Sequence, residues 1–100
     1  MDLILENKRK GYSARAKYDV AKKFVVLKGS IVSAYVAHSE KFRGAKSIIS
    51  TREEYVIEGV VKKDVIFKSS LTAANFVTGR SINGMITWKD ENGTKLKDLL

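Results

Sequence analysis

Residues 13–20 alternate in polarity: Ala14, Ala16, Tyr18 and Val20 point one way, Arg15, Lys17 and Asp19 the other. A period of two marks a β-strand with one face against a core and the other in water. This stretch constrains the fold most, because a half-apolar strand is stable only in a sheet covered on one side. Its neighbours suit such a sheet. Leu3-Ile4-Leu5 reads as a short first strand, residues 23–29 (KFVVLKG) as a more buried one, and residues 31–37 (IVSAYVA) as a further one. The polar, basic stretch 38–46 reads as a loop.

Two helices are expected in the second half. Ser50-Thr51-Arg52-Glu53-Glu54 offers overlapping capping boxes, in which a hydroxyl accepts from the backbone while a Glu three residues on reaches back. Ile48, Ile49, Tyr55, Val56 and Val60 supply an apolar face, with Gly59 near the stop. A short strand at residues 64–68 leads to Ser69 or Ser70, either of which can cap a helix over LTAANFVT. Gly79 stands where a left-handed residue ends that helix. Met85-Ile86-Thr87-Trp88 alternates as a strand, DENG makes a tight turn, and TKLKDLL is a last strand or a fraying tail. The sum is an α+β fold: one small domain over residues 1–100, mainly antiparallel sheet with two short helices packed on it.

Charge is the informative bulk property. The formal net charge is +8, and residues 1–46 hold most of it, with 11 Lys/Arg against only Asp2, Glu6, Asp19 and Glu40. Such asymmetry suits a surface facing a polyanion; its bland counterpart is a soluble basic protein with solvated lysines. No cysteine is present, so disulfides, thiolate metal sites and a cysteine nucleophile are excluded. The start MDLILENKRK is acidic first and has three consecutive apolar residues, unlike a signal peptide, and no run approaches membrane-helix length. A soluble, cytoplasmic protein is expected.

Tests for catalytic chemistry fail one after another. Gly79 and Gly84 have half the spacing of a phosphate-binding loop, but Met85-Ile86 follows where Lys-Ser/Thr is needed. His38 has no second histidine at metal spacing. Glu53-Glu54 are better explained by a helix dipole than as an acid–base pair, and no nucleophile elbow surrounds any serine. No enzyme activity, cofactor or metal is expected. Polar and basic positions remain. Ser69-Ser70 beside Lys68 is either a phosphate seat or an ordinary N-cap. Arg80, Ser81 and Asn83 lie on a loop, where Asn83-Gly84 has turn chemistry. Trp88 stacks on a base or, more commonly for a lone strand tryptophan, packs in the core with its N–H bonded.

Several phrases occur in a fixed order: KFVVLKGS (23–30), STREEYV (50–56), VIFKSSLTAANFVTGRSINGMITWK (65–89) and GTKL (93–96). Together they resemble the domain of unknown function 4357. One departure stands out: where that family has Ser-Pro-Ser, this chain reads Ser69-Ser70-Leu71. Domains of this kind often lie C-terminal to GIY-YIG nucleases and near restriction–modification proteins, and are similar to the RAMA domain. The resemblance implies a non-catalytic accessory module for nucleic-acid recognition, with DNA as the expected target and a nuclease or methylase as partner, and it allows the chain to be the C-terminal module of a larger protein. Lys28, Lys68, Arg80 and Lys89 are expected to meet phosphates, and Ser30, Ser69, Ser81 and Asn83 to make polar contacts. Lys28, Ser30, Arg80 and Asn83 fall on the family motifs. The rival expectation is a protein-interaction module that dimerises through a sheet edge and ignores nucleic acid.

Overall fold

The computed structural model describes residues 1–19, 23–34, 36 and 45–100. Along the chain lie β1 (Asp2–Asn7), β2 (Tyr12–Tyr18), β3 (Phe24–Val26), α1 (Ala45–Tyr55), β4 (Val56–Ile57), β5 (Val60–Val61), β6 (Val65–Phe67), α2 (Ser70–Thr78), α3 (Gly84–Thr87) and α4 (Leu96–Leu99). The alternation at residues 13–18 does what its period requires. β1, β2, β3 and β6 form an antiparallel sheet in that order. Leu3, Leu5, Ala14, Ala16, Phe24, Val26, Val65 and Phe67 share its buried face.

Helix α2 covers that face. Ala73, Ala74, Phe76 and Val77 are all fully buried, and two adjacent alanines let the helix backbone sit close to the strands. The Phe76 ring lies 5.1 Å from that of Phe67, and Trp88 stands 5.0 Å from Phe24, both tilted, within the range favoured by aromatic pairs. Ser69 caps α2 by accepting from the Thr72 N–H, and Gly79 ends it at φ 71° while donating to the Asn75 carbonyl. Both ends therefore follow the sequence reading.

Other elements differ from expectation. Helix α1 begins at Ala45, so Ser50 and Thr51 lie inside it. The Thr51 hydroxyl donates back to the Ser47 carbonyl, and Glu53 and Glu54 stand exposed near the C-terminal end, where capping cannot explain them. Gly59 stops no helix. Glu58 (φ 52°) and Gly59 (φ 80°) make the two-residue turn of the β4–β5 hairpin, which requires positive φ at both positions. Val56 and Val60 are thus strand residues, not part of a helical face.

Residues 85–87, expected as strand, belong to α3, and residues 96–99 form α4. Four helices thus occur among the described residues where two were expected. A four-residue alternation is too short to outweigh a side-chain cap. Of the strand expected at residues 31–37, the described residues show a bridge at Ile31, to Ser13 and Val60; residues 35 and 37 lie outside the described residues. So do Val20, His38 and most of the loop expected at 38–46. Among the described residues no helix is long and apolar enough to cross a membrane.

Candidate nucleic-acid interface

Among the described residues no element covers the sheet's second face, and strand register determines what it presents. Antiparallel partners share a face. Ile4 pairs with Arg15 on one side and bridges Lys89 on the other, while Leu27 donates to the Arg15 carbonyl at 2.9 Å. Lys89, Ile4, Arg15 and Leu27 therefore form one row across the open face. The next row is Asp2, Lys17, Val25 and Ile66. Arg15, Lys17 and Lys89 are exposed, Ile4, Val25 and Leu27 half-buried. A groove of about 580 Å³ runs over this face between Asp2, Ile4, Arg15, Lys17, Leu27 and Glu91.

Residues 28–30 explain the shape of the adjoining edge. The chain leaves the ladder after Leu27 and rejoins it at Ile31, which exchanges two hydrogen bonds with Ser13. Ser30 fills the gap: its buried hydroxyl accepts from the Arg15 N–H at 3.1 Å and donates to the Arg15 carbonyl at 3.4 Å. The Lys28 N–H donates to Asp64 at 2.8 Å, leaving its side chain exposed. Ser30 thus holds the strand that carries Arg15, and Lys28 is the outward member of the pair. A second groove of about 230 Å³ joins the first through shared Arg15 and Leu27 and is lined also by Lys28.

Four expected contact residues gather elsewhere, at the start of α2. Ser70 and Met85 line both a groove of about 490 Å³ that includes Ser81 and Asn83 and one of about 220 Å³ that includes Lys68 and Ser69. The hydroxyl of Ser69 and the amide of Asn83 are occupied as helix caps, Asn83 accepting from the Met85 N–H at 2.9 Å. Gly84 has a packing role in place of the expected turn chemistry. A Cβ there would stand 2.4 Å from the Ser70 carbonyl carbon and oxygen, so only glycine lets α3 touch α2. The buried Trp88 then donates its indole N–H to the Ser70 carbonyl at 3.1 Å. Arg80 is exposed just beyond the other end of α2, held through its backbone by Thr78. The eight expected residues are thus divided: Lys28 and Lys89 join the open sheet face, Ser30 supports it from beneath, Lys68, Ser69, Ser81 and Asn83 flank the helix junction, and Arg80 stands apart beyond the far end of α2.

The sequence reading missed Arg52 as an anchoring residue. Its guanidinium reaches from α1 to the C-terminus of α2, donating to the carbonyls of Phe76 (2.7 and 3.0 Å), Val77 (3.2 Å) and Ser33 (2.7 Å). The Ser33 hydroxyl takes the Thr78 carbonyl at 2.8 Å. With Gly79 bonded to Asn75, the last four carbonyls of α2, orphaned in any helix, are all satisfied. Burial lowers the Arg52 pKa from its ordinary value to about 10, so it stays charged at neutral pH and complements the negative end of the helix dipole. The available signal was its place one turn after the buried Ile48 on the same helical face.

The family model of the domain of unknown function DUF4357 matches residues 4–100, and the chain belongs to that family. No curated protein and no solved structure matches it. Among the described residues no group of three His, Cys, Asp or Glu side chains could hold a metal ion.

Proposed function

We propose that this protein is a non-catalytic nucleic-acid-binding accessory module, directed at DNA and serving a nuclease or restriction–modification enzyme. The observation that carries this reading is the uncovered sheet face, on which Arg15, Lys17 and Lys89, with Lys28 at its edge, stand exposed around aliphatic Ile4 and Leu27. Packing accounts for the opposite face of these strands, and among the described residues it gives the cations no structural task. Their chemistry is phosphate contact, which supplies affinity without sequence information. Asp2 and Glu91 at the groove margin would limit where a phosphate backbone can lie.

Titration of labelled oligonucleotides at low salt tests the reading. Binding is expected, with a log–log salt slope of about −0.9 for each phosphate neutralised on a duplex; an unchanged signal at low salt would discard it. The rival, dimerisation through a sheet edge, draws on Ile66, 64% exposed on the edge strand β6. Sedimentation at rising concentration separates the two, since self-association without nucleic-acid binding favours the rival.

A further inference from the structure

The β1–β2 hairpin outruns the sheet around it. Ser13 is the last residue of β2 toward the hairpin turn with a partner beyond β1, at Ile31, and Ile4 is the last of β1 with a partner beyond β2, at Lys89. Among the described residues, the end of the hairpin past these bridges is therefore a two-stranded ribbon. Its turn is held rather than loose. The Lys10 N–H donates to the carbonyl and side-chain oxygens of Asn7, each at 3.2 Å, and the Gly11 N–H to the Lys8 carbonyl at 3.3 Å.

The ribbon is mostly basic, and its one acid is Glu6, exposed on β1 opposite Ser13. Lys8, Arg9 and Lys10 are exposed at its tip, Arg15 and Lys17 follow on the open face of β2, and no acid occurs between Asn7 and Tyr18. None of the three tip cations has a partner for its side chain among the described residues. Aromatic platforms for stacking unpaired bases are missing from its exposed side, because Tyr12 is buried and the Tyr18 ring packs 5.8 Å from Phe24. A duplex needs no such platform, and the major groove of B-form DNA, about 12 Å wide, admits a two-stranded ribbon. The corresponding groove of an RNA duplex is too narrow for side chains to read.

We infer that the β1–β2 hairpin is the element that docks on double-stranded DNA, its Lys8-Arg9-Lys10 tip entering the major groove while Arg15 and Lys17 follow the flanking phosphates. This rests on the nucleic-acid reading above and names its target and leading element. The test uses fluorescence anisotropy with a labelled DNA duplex, one of its single strands, and an RNA duplex. Three proteins are compared: the unaltered chain, Lys8→Ala/Arg9→Ala/Lys10→Ala, and Lys46→Ala/Lys62→Ala/Lys97→Ala, which changes net charge equally at exposed positions elsewhere. The DNA duplex is expected to bind best. The tip variant should lose at least about tenfold in affinity, with its salt slope shallower by about 0.9 per contact removed, while the control stays near the unaltered chain. Equal losses in both variants, or preference for the single strand or RNA, would overturn the hairpin's role while leaving nucleic-acid binding itself standing, and preference for RNA would also remove DNA as the target. Failure of the unaltered chain to bind any probe removes both. Should the tip variant not fold, Arg9→Ala alone, expected to lose about threefold in affinity, replaces it.

Discussion

The two faces of the four-stranded sheet come from the same strands, yet different forces govern them. On the inner face, Phe24, Val26, Phe76 and Trp88 are fully buried, and each polar group brought in with them has an assigned partner. Trp88 bonds Ser70, and Arg52 and Ser33 take the last carbonyls of α2. On the outer face Arg15 and Lys17 alternate with the buried Ala14 and Ala16, Lys89 follows the buried Trp88, and all three cations are exposed. A position that the fold does not require is free to serve a partner, which is why the outer face is the better place to look for function.

Substitutions sharpen that contrast in order of expected effect. Trp88→Ala removes the largest buried side chain and its hydrogen bond, and a loss of about 3–5 kcal/mol is expected in urea unfolding. A near-neutral result would mean that α3 is not locked to α2. Arg52→Met leaves the Phe76 carbonyl without its donor, at an expected cost of about 1–3 kcal/mol. Arg52→Lys should recover little of this, because one ammonium cannot reproduce a planar fork across three carbonyls; full recovery would reduce the contact to simple charge. Smallest in stability is Arg15→Gln/Lys17→Gln, expected to shift unfolding by less than about 0.5 kcal/mol while weakening duplex binding and flattening its salt dependence. Loss of stability without change in binding would reverse the assignment of the two faces.

Legibility followed the range of the interactions involved. The half-buried β2, the Ser69 cap and the Gly79 stop were readable because each depends on neighbours within a few residues. Arg52 was not readable as an anchor, since its acceptors lie 19 to 25 residues away and carry no side-chain signature. Helix α3 was misread for a related reason: Gly84 is chosen by the backbone of Ser70, not by a local turn. The candidate contacts Lys28, on a family motif, and Lys89, as a basic residue beside Trp88, were found in the sequence, but their shared face with Arg15 depends on register, which no local pattern specifies.

By itself the sequence determined the class of fold, the family, the principal helix with both its ends, and a basic N-terminal half. Period, capping chemistry and charge are properties of short segments and survive without a partner. Tertiary structure alone decided which cations share a surface, that Ser30 supports a strand rather than standing on it, and that Arg52 and Ser33 together close the end of α2. Those outcomes depend on carbonyls and strand rows brought together from distant parts of the chain, where proximity exists only after folding.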